Sequence, residues 1–404
     1  MDPVIKMVLM IAALFLLGAL GELIFTRTGI PDMIWLVAAG IIAGPVFKLV
    51  PPQMLMPILP FFGAIALVTI LMGGGLKFRF SDVAAAAPRA IVLGLVGFVL
   101  AVFAICPYGL ALTMLGYARP APLEAWIMVG AIVGGTSSLV IIPAMAGGKT
   151  DSRVARILEV ESCVTDALCV VVTIVMINIV IQGVFDLGYP VLALAQAAGV
   201  GVTLGVAGAA IFIPLLPKMR GRVHAYTILL AGFLIVYGLV QMAGGNGALG
   251  VLTCALLVGN APDLLPRLNF RVRTDEFGSD QTAMIIHNQF GFFIKSFFFF
   301  LIGLMFPTSP QQILVGAGAA VVLLIARIPA VRFALWGTSF TPAQQGVMIV
   351  AIPRGLAAGV LSTMPMYMGV PNSETLVPMV FSTIVFSIII FSGGIALLGR
   401  AAKC

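Results

Sequence analysis

Charged side chains are scarce in this sequence. Asp, Glu, Lys and Arg make up 9% of its 404 residues, whereas 61% of the residues are hydrophobic. Soluble domains carry roughly 25% charged residues, so this chain has too little polar surface to face water on all sides. Its apolar runs are about 20 residues long, enough for a helix to cross a bilayer. The composition excludes a soluble globular protein and predicts an all-α polytopic membrane protein.

Residues typical of protein metal centres and disulfide frameworks are also few. The chain has two histidines and five cysteines, and no two cysteines have the close spacing of metal-ligand pairs. The odd number of cysteines argues against a disulfide framework. We therefore expect no histidine-rich metal site and no cofactor.

The apolar runs divide into thirteen predicted transmembrane helices, and the whole chain, 1–404, is expected to form one membrane unit. The least certain division is between the eighth and ninth spans, where Gly244-Gly245-Asn246-Gly247 predicts a turn. The spans are roughly 4–25, 33–50, 54–76, 89–116, 122–146, 155–182, 187–216, 225–243, 245–261, 283–306, 310–334, 344–368 and 374–399.

The net charge of +7 is explained by membrane orientation rather than by nucleic-acid binding. Sixteen of the 22 Lys and Arg residues fall in alternate loops or at the C-terminus, from Arg27 to Lys403. The opposite loops hold only Lys6, Lys48 and Arg119. Because cytoplasmic loops carry the excess of basic residues, we expect an external N-terminus, a cytoplasmic C-terminus and no nucleic-acid partner.

An internal repeat relates the two halves of the chain. The second and ninth spans each place two glycines 15 residues apart, at 29 and 44 and at 244 and 259, an offset of 215. The fifth and twelfth spans are interrupted near their middle, by Gly-Gly-Thr-Ser-Ser at 134–138 and Pro-Arg-Gly at 353–355, an offset of about 218. An offset of seven spans reverses the orientation in the membrane, so the pattern indicates an inverted repeat with two broken helices. The alternative is that Gly and Pro are simply common in membrane helices.

Charged residues inside the spans, together with the hydroxyl residue Thr136, gather near mid-depth. At a rise of about 1.5 Å per residue, Asp166, Thr136, Lys295 and Arg354 all fall near the bilayer midplane. Arg327 falls closer to the cytoplasmic side. Charges in hydrocarbon are costly and usually mark a transport pathway. Lys295 is either a titrating or a fixed partner.

The sixth span supplies an oxygen-rich site in Glu161-Ser162-Cys163-Val164-Thr165-Asp166. Positions 162, 165 and 166 share a helix face. A carboxylate, neighbouring hydroxyls and carbonyls freed by a broken helix suit a small hard cation. We expect Asp166, Ser162 and Thr136 to bind Na⁺ or K⁺.

Asp166 is expected to hold either a cation or a proton, but not both, and this competition is sufficient for antiport. The alternative is a structural Asp–Arg pair. Glu161 is either a structural partner of Arg354 or a direct ligand. Thr165 and Ser137 complete the predicted site.

These residues resemble the monovalent cation:proton antiporters, in particular prokaryotic sodium/proton antiporters and animal exchangers. The most specific match is Glu161-Ser162-x-x-Thr165-Asp166, which is similar to the family's Glu-Ser-x-x-Asn-Asp. Further similar stretches are Gly29-Ile-Pro31 through Gly44-Pro45, Phe293 to Gly303, Arg327 to Val331, and Ile352-Pro353-Arg354-Gly355-Leu356.

The resemblance implies a sodium/proton antiporter fold, a homodimer and an elevator-like movement. The core transport domain would comprise 84–186 and 307–404, and the dimer or scaffold domain 1–83 and 187–306. Asp166 would be the shared cation and proton site, Arg354 would pair with Glu161, and Arg327 would replace the lysine of the electrogenic branch. The membrane would be a prokaryotic plasma membrane.

Two departures from the family pattern leave the ion open. Thr165 stands where the family usually has Asn, and Thr136-Ser137-Ser138 stands where exchangers usually read Thr-Asp-Pro. The serine-rich break resembles that of the potassium-efflux relatives. With one titrating carboxylate, we expect electroneutral exchange of one cation for one proton. The alternative function is cation-coupled symport of an organic solute.

Overall fold

A computed structural model of the chain describes residues 15–21, 32–49, 59–77, 80–118, 121–145, 152–182, 188–215, 224–261 and 281–398, together with residues 5, 8, 9, 12 and 13. Within these ranges the secondary structure is helical and contains no β-strand. This agrees with the all-α prediction. Most of the first predicted span, 4–25, lies outside the described residues, although residues 15–21 are helical.

The helices are numbered here in chain order. They are α1 Asp32–Ile41, continued by a π-helical turn Ile42–Val46, α2 Leu59–Lys77, α3 Phe80–Met114, α4 Leu123–Ile132, α5 Ser138–Met145, α6 Ser152–Gln182, α7 Gly188–Phe212, α8 Ala225–Met242, α9 Gly247–Gly259, α10 Gln281–Leu304, α11 Pro310–Ala334, α12 Pro342–Val350, α13 Leu356–Tyr367 and α14 Leu376–Leu398.

Seven of the described helices are long and apolar enough to cross a membrane: α3, α6, α7, α8, α10, α11 and α14. Shorter apolar helices include Leu123–Ile132 and Gly247–Gly259. Large apolar side chains such as Phe61 and Phe103 are 72% and 70% exposed, as expected of surfaces that face lipid. The chain is therefore a multi-pass membrane protein, while the number thirteen stays a prediction.

Both predicted helix interruptions are present. Residues 133–137 separate α4 from α5, and residues 351–355 separate α12 from α13. Adding 218 to the first range gives the second, so the two breaks occupy equivalent positions in the repeat. The broken helices expected from the internal repeat are confirmed.

Internal contacts divide the chain into two compact units. The first comprises Met1–Gly63, Ala87–Val184 and Phe293–Cys404, and the second comprises Ala64–Ala86 and Phe185–Phe292. The predicted division into a core and a scaffold domain concerns movement during transport rather than contact, so it stays a prediction.

In the first unit, the long helices α6 and α14 support the broken ones. Helix α6 packs against α4, α5 and α13, and α14 packs against α11, α12 and α13. Helices α1 and α10 cross at glycines, because a Cβ atom on Gly40 would overlap the carbonyl of Phe300 and one on Gly303 would overlap the carbonyl of Val37. Small residues at such crossings let two backbones approach closely.

The second unit has its own apolar core. Helix α9 packs against α7 and α8. The fully buried side chains of Phe233, Val251 and Cys254 lie in this core.

Candidate functional site

The hydroxyl groups of α6 hold the first helix break. Ser162 Oγ donates a hydrogen bond to the carbonyl of Thr136 and accepts one from the N–H of Ser138, each at 2.8 Å. Thr165 Oγ1 accepts from the N–H of Thr136 at 3.2 Å and donates to the carbonyl of Ser162 at 3.1 Å. Both side chains are buried. Breaking a helix inside a bundle frees backbone N–H and C=O groups, and these two predicted site residues satisfy several of them.

The two breaks also bond directly to each other. The N–H of Ser137 donates to the carbonyl of Pro353 at 2.9 Å, and the guanidinium of Arg354 donates to the carbonyl of Gly135. The breaks approach closely because residue 355 is glycine: a Cβ atom there would overlap the Ser137 hydroxyl. The structure thus brings together the two breaks that contain Ser137 and Arg354.

Arg354 places a buried positive charge at the end of α4. Its side chain is 2% exposed, and it reaches a carbonyl just beyond the C-terminus of that helix. Helix C-termini carry partial negative charge, so a cation here is favourable. The Nε atom of Arg354 has no hydrogen-bond partner among the described residues, which leaves one donor available at the crossing.

Each break lies against a side chain from the long helix that follows it. The N–H of Arg354 donates to Ser387 Oγ of α14 at 2.9 Å. A Cβ atom on Gly135 would lie 2.7 Å from the sulfur of Cys169 on α6, so this sulfur lies against the first break. Adding 218 to 169 gives 387, so these supports are equivalent in the repeat. Neither was predicted, and the repeat offset relates the two residues to each other without identifying either of them.

Glu161 pairs with Arg327, so its predicted pairing with Arg354 is wrong. Both carboxylate oxygens of Glu161 accept hydrogen bonds from the Arg327 guanidinium, and the bond from Nη2 measures 2.7 Å. The Glu161 side chain is fully buried and that of Arg327 is 4% exposed. The pair is bidentate, the geometry in which Arg binds a carboxylate most strongly.

The reason for the different partner is position along α6. Glu161 lies five residues before Asp166, about 7.5 Å along the helix, and there it meets α11 rather than the breaks. Arg327 also donates from Nε to the carbonyl of Met348 in the last turn of α12, at 3.1 Å. It therefore links α6, α11 and α12 just before the second break.

Asp166 lies one residue after Thr165 on α6 and is partly exposed. No hydrogen bond or ion pair joins it to another side chain in the part of the chain that the structure describes. Arg354, the arginine of the possible structural Asp–Arg pair, donates instead to Gly135. Among the described side chains, none occupies the Asp166 carboxylate, which leaves it available to a ligand within this part of the structure.

Thr136 offers a second available oxygen atom. Its side chain is 2% exposed, and its Oγ1 has no hydrogen-bond partner among the described residues. Buried hydroxyl groups normally have a partner, so this oxygen is a candidate ligand. Ser162 is bonded twice but its hydroxyl has two lone pairs, of which one remains. The predicted ligands therefore retain oxygen atoms that can bind a cation.

Lys295 is the remaining predicted site residue. It lies within α10, but its side chain is outside the described part of the structure. Its predicted role as a titrating or fixed partner stays a prediction.

The whole length of the chain matches known transporters. Residues 10–401 match the family model described as sodium/hydrogen exchanger, transmembrane. The K(+)/H(+) antiporter NhaP2 of Shewanella baltica is 25% identical over 422 residues, covering 97% of this chain and 67% of the relative. The Na(+)/H(+) antiporter 1 of Methanocaldococcus jannaschii is 27% identical over 248 residues, covering 60% of this chain and 56% of the relative.

The fold matches a solved structure. The sodium proton antiporter MjNhaP1 from Methanocaldococcus jannaschii, determined at pH 8, superposes with a TM-score of 0.78. The match covers 98% of this chain and 99% of the other, at 20% sequence identity. The resemblance expected from the sequence motifs is confirmed.

The Glu161–Arg327 pair predicts a specific stability pattern. Replacing Glu161 by Gln leaves a buried guanidinium without its counter-charge, and removing one partner of a buried pair typically costs about 3–5 kcal/mol. We expect Glu161→Gln to lower the thermal unfolding temperature of the protein in detergent by several degrees. The double variant Glu161→Gln/Arg327→Gln is expected to unfold at a higher temperature than the sum of the single effects predicts.

The matched control is Glu374→Gln, since Glu374 is exposed and its replacement is expected to leave the unfolding temperature unchanged. Non-additivity between Glu161→Gln and Arg354→Gln, with none between Glu161→Gln and Arg327→Gln, would contradict the observed pairing.

Proposed function

Because this chain belongs to the sodium/hydrogen exchanger family, we propose that it is a secondary antiporter that exchanges Na⁺ or K⁺ for H⁺ at Asp166. The observation that carries the proposal is the carboxylate of Asp166, which has no described ion-pair partner and follows the hydroxyls that hold the first helix break. Helix breaks within a bundle are where secondary transporters bind ions.

The chemistry follows from competition for one carboxylate. In the ionised form, Asp166 binds a cation together with Thr136 Oγ1 and the remaining lone pair of Ser162 Oγ. A proton on the carboxylate removes the charge that holds the cation, so each ion displaces the other. Thr165 and Ser137 position the backbone around the site through bonds to Thr136 and Pro353.

The charges around the site have supporting roles in this proposal. Arg354 neutralises the end of α4, and Arg327 is held by Glu161 rather than facing the ion. Glu161 therefore acts as a structural partner, the first of the two alternatives that the sequence left open, with Arg327 in place of Arg354.

The choice between Na⁺ and K⁺ remains open in the proposal because the relatives carry both names, K(+)/H(+) antiporter and Na(+)/H(+) antiporter. The same names disfavour cation-coupled symport of an organic solute. The break 133–137 has no carboxylate, so hydroxyl and carbonyl oxygens complete the coordination.

Transport by Asp166 is tested in proteoliposomes that contain a pH-sensitive dye. We expect pulses of Na⁺ or K⁺ to move protons through the native protein, with Li⁺ and Rb⁺ pulses defining the selectivity. We expect Asp166→Asn to give the same signal as protein-free vesicles, because the amide can neither bind a proton in this pH range nor supply a negative charge.

The control for this experiment is again Glu374→Gln, a carboxylate on an exposed turn, which should exchange at the native rate. Exchange by a folded Asp166→Asn protein would place the ion site elsewhere. Absence of exchange by the native protein with all four cations would overturn the antiport proposal.

A single carboxylate also sets the stoichiometry that we propose, one cation for one proton. Such exchange moves no net charge, so its rate should not change when a membrane potential of either sign is imposed on the vesicles. Dependence of the initial rate on the imposed potential, at constant ion gradients, would contradict electroneutral exchange.

The assembly that we propose is a homodimer in a prokaryotic plasma membrane, with the N-terminus outside and the C-terminus in the cytoplasm. Residues 84–186 and 307–404 form the moving core of an elevator-like mechanism, and 1–83 and 187–306 form the scaffold. Support comes from the family and from the loop charges.

Light scattering by the protein in detergent, corrected for bound detergent, tests the dimer. The expected protein mass is about twice that of the 42.3 kDa chain. A mass equal to one chain across a range of detergents would contradict the dimer.

A further inference from the structure

Four exposed arginines lie on the helices that contact or lead into the connection between α11 and α12. They come from three separate helices, α3, α6 and α11, all within the first unit. Two aromatic residues of the connection lie among them. We call this set the arginine patch, and its members are Arg89, Arg153, Arg156, Arg332, Trp336 and Phe340.

Contacts with the connection fix two of the arginines. Arg89 Nη1 donates to the carbonyl of Ala334 at 3.1 Å and to that of Trp336 at 3.5 Å. The guanidinium of Arg153 lies over the ring of Phe340, 5.5 Å from its centroid. Such contacts hold long cationic side chains in place and reduce the conformational entropy that a ligand must remove.

The other two arginines extend the patch. Arg156 follows Arg153 by three residues on α6, so both lie on one helix face, and both are exposed. Arg332 is the basic residue in the last turn of α11, directly before Phe333, and it is exposed. Two guanidinium groups thus contact the connection, and two more belong to the same helix face of α6 and to the helix turn that leads into the connection.

Apolar side chains stand beside these charges. Trp336 is 78% exposed and Phe333 is 57% exposed, and the two are three residues apart at the end of α11. Trp residues are enriched where a membrane helix meets the interface, with the ring at headgroup level. The patch therefore combines fixed positive charge with an exposed apolar surface at the end of a spanning helix.

We propose that the arginine patch binds the headgroup of an anionic phospholipid, whose acyl chain lies against Phe333 and Trp336. Guanidinium groups bind phosphate by paired hydrogen bonds, and basic clusters at helix ends recognise anionic headgroups. The adjoining apolar pair favours a lipid over a free phosphate ion. The positive-inside rule accounts for the side of the membrane on which arginines lie, but not for the contacts of Arg89 and Arg153 with one aromatic connection.

The patch is joined to the candidate ion site by α12. The connection leads into the capping box of Thr341 and Gln344 at the start of α12. The last turn of the same helix contains Met348, whose carbonyl accepts the bond from Arg327. A lipid bound at the patch therefore holds the helix that ends at the second break.

Lipid binding is measured by native mass spectrometry of the full chain in detergent, titrated with phosphatidylglycerol or phosphatidylcholine. We expect the native protein to prefer phosphatidylglycerol. The variant Arg156→Gln/Arg332→Gln should lose about tenfold or more in affinity for phosphatidylglycerol. Each basic residue near an anionic lipid surface strengthens binding severalfold, and this variant removes two of them. Trp336→Ala should weaken binding of both lipids.

Three controls make the result decisive. Lys48→Gln removes an exposed cation outside the patch and should leave the affinity unchanged. Inorganic phosphate should not compete with the lipid at millimolar concentration. The single variants Arg156→Gln and Arg332→Gln replace the double variant if it does not fold, and each should show a partial loss.

Equal affinities of the native protein and the arginine variants for phosphatidylglycerol would overturn the proposal, as would effective competition by phosphate alone. The measurement requires no transport, so its outcome is independent of the proposed antiport.

Discussion

The structure depends on satisfying backbone groups at two helix breaks inside an apolar bundle. An unpaired N–H or C=O group costs several kcal/mol where water is excluded. The breaks are held by side chains of neighbouring long helices, with Ser162 and Thr165 at the first and Ser387 at the second. Arg354 and Ser137 then bond one break to the other. Irregular backbone can persist at this depth because these groups surround it.

The Glu161–Arg327 pair supports the second helix break by joining α6 and α11 to the end of α12. Removing two charges from water is expensive, and a buried pair often contributes little net stability compared with apolar residues of similar size. Its value here is positional, because Arg327 also bonds the carbonyl of Met348 in α12. Arg327 neutralises Glu161. Asp166 is then the carboxylate beside the breaks that has no ionic partner among the described residues.

Much of this architecture could be predicted from the sequence. The hydropathy of the sequence predicted both ends of α11 correctly, at residues 310 and 334. The repeated Gly, Ser and Pro residues predicted the positions of both helix breaks. Helix α3 begins at Phe80 rather than 89, because the alanine-rich stretch before Pro88 continues the helix.

Side-chain partners were harder to predict. Residue counts along straight helices gave depth but not rotation about the axis, so the sequence could not decide which arginine faces Glu161. Ser387 and Cys169 carry no charge and lie in apolar helices, so composition does not distinguish them from packing residues. Only the offset of 218, applied beyond the breaks, relates them to each other.

The repeat offset also shows how the two halves have diverged. Position 166 corresponds to Ile384, and Thr136 corresponds to Arg354. Where the first half presents a carboxylate and an available hydroxyl, the second half presents an aliphatic side chain and a guanidinium. In the second half, the positive charge therefore belongs to a side chain, Arg354. In the antiport that we propose, only the first half can therefore exchange its cation, because the positive charge of the second half is part of Arg354 itself.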